Sequence, residues 1–335
     1  MKNKNIFIKK NKVLLIKKTK KKFDFFLSNV NLKNLNKDEV IIKVSYNCFN
    51  FKDILMAKGN PGLVRNYPHV PGIDCTGKVY YSNSKKFKRG DNVMVIARPT
   101  GINSFGTMAN YFVCPSKWIE KIPFKMDMKT PIIFGTAGFT AMLAVQNIIN
   151  NKVKKNFPIL VTGASGGVGL LSIFFLNNLG YKIIASTTNV KKKLNFLKKI
   201  GVTSVIDHKQ FNRSIDLPIL KMKYSAIIDN VGGNVISFGS RELIQNGILI
   251  SVGNAHSNYS KINILPFILR GVKLIGINAE STPSALRKKI WKSIYKNIKS
   301  KKLNLLYRKH NFNMVIKILN KMLKNNYTGR VIFKI

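Results

Sequence analysis

The apolar positions follow two different rhythms along the chain. Val40 to Tyr46 alternates apolar and polar residues with the period of a half-buried strand. Asn50-Phe51-Lys52-Asp53-Ile54-Leu55 reads as a helix entry, and Pro68 to Val79 combines turn residues with a strand. Phe87 to Val93 is a tight turn into a strand at Val93 to Ala97. This predicts an all-β style domain. From Met128 to Asn150 the pattern becomes helical, with small residues across Gly135 to Leu143. Strands are then predicted at Ile159 to Thr162, Lys182 to Ala185, Ser204 to Ile206, Ala226 to Asp229, Ile248 to Val252 and Val272 to Ile277. Helical stretches separate most of them, which argues for a parallel sheet covered by helices on both faces. Beyond Asn278, helices are expected at Pro283 to Ile298 and Phe312 to Leu323. Tyr327 to Ile335 ends in a short strand expected to return to the first domain.

One stretch organises the second half. Ile159 to Thr162 has the length and β-branching of a buried strand, Gly163 to Gly169 is glycine-rich, and helical spacing runs from Val168 until Gly180. Ala164-Ser165-Gly166-Gly167-Val168-Gly169 is an A-x-G-x-x-G dinucleotide fingerprint in its required strand–turn–helix context. Gly166 admits a diphosphate to the backbone, Gly169 lets the helix approach the strand, and the free N–H groups at the helix start hold the anion.

Charge changes the picture less than its size suggests. The 335 residues carry 58 Lys plus Arg against 13 Asp plus Glu, a formal net charge of +45. Such a field attracts polyanions. The lysines are scattered among Asn and Ile residues, and no nucleic-acid module signature accompanies them, so no specific nucleic-acid partner is expected. Cys48, Cys75 and Cys114 are too few and too spread for a disulfide framework or a cysteine zinc site, which fits a reducing, cytoplasmic setting. No uninterrupted apolar stretch reaches membrane-spanning length, so no membrane partner is expected.

The order of these segments resembles the zinc-free branch of the medium-chain dehydrogenase/reductase superfamily, and within it the acrylyl-CoA reductase family of quinone-oxidoreductase-like proteins. The stretches that carry the resemblance are Asn50 to Asp53, Pro71-Gly72-Ile73-Asp74, Gly135 to Leu143, Val161 to Gly169, Pro266 to Arg270 and Gly329-Arg330. It implies an α/β chain built from a GroES-like β domain and a Rossmann doubly wound parallel sheet. The expected division is 1–127 completed by 279–335, with 128–278 as the NADP-binding domain. Zinc-dependent relatives carry a His-Glu pair after a glycine, whereas Gly72 is followed here by Ile73-Asp74. Isoleucine ligates no metal, so no metal site is expected there, and His69 beside proline reads as structural.

The resemblance also implies a cofactor and its contacts. NAD enzymes place Asp or Glu at the end of the second Rossmann strand, but that position reads Ala185-Ser186-Thr187-Thr188-Asn189, with Lys191, Lys192 and Lys193 following. NADPH is therefore expected, although Asn189 replaces the arginine that the family usually sets on the 2′-phosphate. By position, Phe51, Ser165, Gly166, Gly167, Val168, Thr187, Thr188, Asn189, His208, Asn254, Ile268, Ala279 and Asn325 would contact the cofactor. Phe51 stands where the family usually has Tyr and donates no proton. Asn50, Asp53 and Arg65 are the candidate catalytic residues, with Asp53 expected chiefly to brace the local helix. The implied reaction is NADPH-dependent, zinc-independent hydride transfer to an activated C=C bond, acrylyl-CoA to propionyl-CoA. Reduction of quinones or general enones, and non-enzymatic NADPH or polyanion binding, remain alternatives. A small-molecule enoyl-CoA or quinone partner follows, with a homodimer through Val272 to Ile277.

Overall fold

The alternating segments near the start of the chain are strands, and the alternation buries one face of each. The computed structural model describes residues 7–20, 22–33, 35–123, 126–212, 217–324 and 327–335. They divide into two units, Met1–Thr136 with Tyr307–Ile335, and Ala137–Leu306.

In the first unit, β1 (Phe7–Lys18) pairs antiparallel with β2 (Phe23–Lys33). Val13, Leu14 and Ile16 are buried while Lys9, Lys10, Lys17 and Lys18 face solvent. The unit continues with β3 (Glu39–Phe49), α1 (Phe51–Ala57), β4 (Cys75–Ser82), β5 (Asn92–Val95), β6 (Tyr111–Pro115) and β7 (Glu120–Lys121). β3 is its axis. It pairs antiparallel with β4 along one edge and with β6 along the first half of the other.

A helical segment, α2 (Lys129–Asn150), follows and is broken at Gly135, where φ is 54° and ψ is −159°. By length and composition it could cross a membrane, contrary to the expectation that no stretch reaches that size. Most of it is buried inside the protein, and a helix apolar on all sides is what such burial requires.

The second unit is a doubly wound sheet. Its strands are β8 (Ile159–Val161), β9 (Ile183–Thr187), β10 (Ser204–Asp207), β11 (Tyr224–Asp229), β12 (Leu243–Ser251) and β13 (Lys273–Gly276). All pairings are parallel, in the order β10-β9-β8-β11-β12-β13. The helices are α3 (Gly167–Asn178), α4 (Val190–Lys199), α5 (Asn234–Glu242), α6 (Leu265–Arg270) and α7 (Ser284–Tyr295). Ile159, Leu160 and Val161 have no exposed surface, as expected of a strand covered on both faces. Strand order reverses between β8 and β11, and in such sheets ligands bind at that point.

Residues 279–306 were expected with the first domain, but they cluster with the second unit. The reason is packing. The α7 face presents Trp291 to Phe139 at 5.9 Å between ring centroids, and the Arg287 guanidinium lies 4.6 Å from the centre of the same ring. The chain returns to the first unit only afterwards, as β14 (Tyr307–Asn311), α8 (Val315–Leu323) and β15 (Arg330–Lys334). β15 pairs antiparallel with the second half of β3, opposing Val331 to Phe49.

Candidate active site

The glycine loop is shaped by what cannot be placed there. Gly163 has φ +56°, a conformation that L side chains rarely adopt. A Cβ on Gly169 would lie 2.5 Å from the Gly163 carbonyl oxygen, so only glycine lets α3 start against β8. Gly166 is the N-cap of α3. The N–H groups of Gly167, Val168 and Gly169 fall in the first helical turn, where no intrahelical acceptor exists. They are offered at the carboxyl end of β8, beside the reversal of strand order. The cradle fits a diphosphate.

The adjoining strand ends bind this crevice together. Asp229 accepts hydrogen bonds from the Thr162 hydroxyl and from the N–H groups of Val231 and Gly232. Burial raises its pKa above the usual carboxylate value. Asn230 donates through Nδ2 to the Thr162 carbonyl at 2.8 Å, while its buried Oδ1 has no partner among the described residues. Nothing in the sequence pattern singled out this Asp-Asn pair, because its role depends on β8 and β11 being neighbours.

The end of β9 decides which cofactor the loop suits. Thr187 is buried, and Thr188 and Asn189 are exposed beyond it. Asn189 Oδ1 accepts the Lys192 N–H at 3.1 Å as the N-cap of α4, so the residue in the arginine position is occupied with local structure. One helical turn on, Lys193 Nζ donates to Ser165 Oγ in the glycine loop at 2.8 Å. Burial, with the neighbouring Lys192 second, lowers the Lys193 pKa. A half-buried cation whose hydrogen-bond partner among the described residues is a hydroxyl is one that a phosphate would stabilise.

In the first unit the site is a buried polar cluster. Arg330 is 3% exposed and anchors it. Its Nε donates to the Ile133 carbonyl at 3.1 Å, Nη1 to Asn50 Oδ1 at 3.0 Å and to the Phe49 carbonyl at 3.2 Å, and Nη2 to Cys48 Sγ at 3.0 Å. Asn50 Nδ2 donates to Asp74 Oδ2 at 2.8 Å and faces Cys48 Sγ at 3.7 Å. Asp74 also accepts the Thr136 N–H and hydroxyl. The Asn50 amide is thus engaged at both ends inside the unit and is not presented as an oxyanion donor.

Asp53 completes the brace. Its carboxylate accepts the Asn50 N–H at 2.7 Å and the Gly72 N–H at 2.9 Å, and it is 1% exposed. Burial, partly offset by those two hydrogen bonds, raises its pKa to about 7. That value would suit an acid, but both oxygens already accept backbone N–H groups inside the unit. Asp53 positions the segment that carries Phe51, the first residue of α1, whose ring is 54% exposed.

The other expected residues lie in both units. The Arg65 side chain is exposed, and its backbone N–H donates to Asn103 Oδ1 at 3.2 Å. His208 follows β10 as expected. It is half-buried, and burial followed by its neighbour His256 lowers its pKa. Asn254 is exposed and its Nδ2 donates to Asn258 Oδ1. Ile268 lies on α6 with 65% of its surface exposed, whereas Ala279 is buried. Asn325 lies outside the described residues.

The donors beside Asp74 do not fit a zinc ion. The Asp74 oxygens are taken by Asn50 and Thr136, and Cys48 Sγ meets a guanidinium that would repel a metal cation. Among the described residues, no three His, Cys, Asp or Glu side chains form a ligand group. His69 is buried and hydrogen-bonded to the Gly101 backbone, and burial lowers its pKa to about 4.

Comparison with known proteins follows the same division. The profile of the alcohol dehydrogenase GroES-like domain matches residues 36–124, and that of zinc-binding dehydrogenases matches residues 167–294. The chain is 32% identical over 311 residues to the putative quinone oxidoreductase YhfP of Bacillus subtilis, covering 92% of this chain and 94% of that protein. The crystal structure of YhfP with NAD bound superposes with a TM-score of 0.89, at 30% identity, over 98% of this chain and 100% of that one. The acrylyl-CoA reductase AcuI of Ruegeria pomeroyi is 31% identical over 307 residues, 91% of this chain and 93% of its own. The yhdH oxidoreductase of Salmonella enterica, solved in complex with NADP, has a TM-score of 0.90 at 27% identity, over 97% of this chain and 99% of that one.

Proposed function

The chain belongs to the medium-chain dehydrogenase/reductase superfamily and is an oxidoreductase, and from that premise we propose that it is an NADPH-dependent reductase of activated C=C bonds. The substrate we assign is an α,β-unsaturated thioester of the acrylyl-CoA type, reduced to the saturated thioester. One observation carries the cofactor choice. The end of β9 offers no carboxylate, and the Lys193 ammonium stands instead against Ser165 of the glycine loop at 2.8 Å. A carboxylate there would accept the ribose 2′-OH of NADH and repel a 2′-phosphate. Lysine and serine do the reverse.

Bound NADPH supplies the hydride for the β-carbon. The chain's own part is binding and orientation. The first-turn N–H groups of α3 receive the diphosphate, and Lys193 with Ser165 receives the 2′-phosphate. Arg330 and Asp74 hold the Asn50 side chain and Asp53 holds its backbone N–H, so the Phe51 ring is presented from a braced helix start. Phe51 has no hydroxyl and moves no proton. Phe51 therefore does not supply the proton for the α-carbon. No metal is needed to polarise such a substrate, because the thioester carbonyl takes up the charge as the β-carbon is reduced.

The similarity to the putative quinone oxidoreductase of Bacillus subtilis favours a second reading, quinone reduction. Stopped-flow oxidation of NADPH with acrylyl-CoA, with a quinone and with buffer alone separates the two. Faster turnover with acrylyl-CoA supports the assignment, and faster turnover with the quinone replaces it. We also retain a homodimer through β13, the edge strand of its sheet, where Leu274 is 43% exposed. Sedimentation equilibrium at the mass of a single chain would remove it.

A further inference from the structure

The first unit contains a cavity of about 610 Å³, lined by residues of β3, β4, β14 and β15 and by the segment before α2. Five of its eleven lining residues are lysines: Lys43, Lys78, Lys129, Lys309 and Lys334. Their arrangement follows from strand pairing. Lys43 on β3 stands directly opposite Lys78 on β4, and Lys334 on β15 stands opposite Tyr46 on β3. Lys309 comes from β14, the strand beside β15. The remaining wall is the segment that leads into α2. It is laid over the sheet by the Thr76 hydroxyl, which donates to the Met128 carbonyl at 2.6 Å.

The charges in this cavity are not balanced from within. Like charges directly opposite on neighbouring strands destabilise the pair. Asp127 is the one acidic side chain lining the cavity, and its Oδ1 is committed to the Thr130 N–H at 2.7 Å. Among the described residues, none of the five lysines forms an ion pair with a carboxylate. The Lys129 ammonium lies over the face of the Tyr307 ring, 5.8 Å from its centre. A concave wall lined by one sign of charge focuses the field and concentrates anions.

We propose that this cavity binds a compact polyphosphate chain, the di- or triphosphate of a nucleotide or its inorganic counterpart. Several negative charges must enter a small volume, which a phosphate chain supplies and a single carboxylate does not. Lysine ammonium groups serve phosphate as point charges. An extended nucleic acid fits less well, because strand-binding surfaces interleave their cations with a series of aromatic rings, and Tyr46 is the single aromatic residue lining this cavity. The site is distinct from the glycine loop, all of its residues lying in the first unit.

Calorimetric titration of the full chain with sodium tripolyphosphate, in the presence of saturating NADPH and again with saturating NADH, tests this. One saturable site is expected under both conditions. The triple variant Lys43→Gln, Lys78→Gln, Lys334→Gln should weaken it by about tenfold or more. The control Lys288→Gln, Lys289→Gln, Lys296→Gln removes the same charge from exposed positions in the second unit and should leave the affinity nearly unchanged. Equal weakening in both variants would show general attraction to the +45 chain and overturn the proposal. So would an unchanged affinity in the cavity variant, the absence of saturation, or oligonucleotide binding that is tighter than tripolyphosphate binding and insensitive to the cavity lysines.

Discussion

The Arg330 guanidinium donates to Asn50 Oδ1 at 3.0 Å, joining the first residue of the last strand to the N-cap of the first helix. Five acceptors surround this one side chain, and the Asn50 amide passes the contact on to Asp74. Replacing Arg330 with Met would leave Asp74 and several carbonyls buried without their cation. The expected loss of stability is about 3–5 kcal/mol, read from denaturant midpoints. Arg330→Lys should recover part of it, since lysine keeps the charge but not the fork. A neutral result for Arg330→Met would show that the cluster is not a stabilising anchor.

Gly135 is the second test of the same cluster. A Cβ there would lie 2.5 Å from Arg330 Nη2 and 2.6 Å from Asp74 Oδ2, at φ +54°. Gly135→Ala should therefore destabilise by about 2–4 kcal/mol, combining backbone strain with overpacking. Measured thermal unfolding should show a clear downward shift. If alanine is tolerated, the helix break at Gly135 has some other cause.

Asp53 gives a pH signature. Its folded pKa is about 7, against about 3.9 for an unfolded aspartate. The folded protein holds this proton more tightly, so the contribution favours folding below the unfolded pKa. Stability is lost as pH rises through the window and levels off above about 7. The full effect is on the order of 4 kcal/mol. Asp53→Asn has no such titration, so the difference in unfolding free energy between wild type and variant should shift between pH 4.5 and pH 8 in the variant's favour. A difference that stays constant with pH would remove the buried-carboxylate account.

Much of the fold could be read in the sequence because the signals were local. The β8–glycine loop–α3 unit announces itself through spacing, and the parallel strands through their apolar runs. Residues 279–306 were misplaced because α7 is amphipathic wherever it docks, and only the contact between Trp291 and Phe139 assigns it. The binding residues show the same split. Ser165 to Val168 lie in a recognisable motif, but Asn50 became a pin only through Arg330, 280 residues away in the chain. Asn189 aligned with the phosphate-binding arginine, yet its side chain caps α4. Lys193 was one lysine in a run of three, and nothing local marks it as the one that reaches Ser165.

The central claim is that Lys193 and Ser165 read a 2′-phosphate. It is tested most directly by equilibrium titration of NADPH and NADH against the wild type and Lys193→Ala. NADPH should bind the wild type more tightly, and the variant should lose about tenfold or more of NADPH affinity while NADH affinity changes little. Tighter binding of NADH by the wild type, or an equal loss for both cofactors in the variant, would contradict the account.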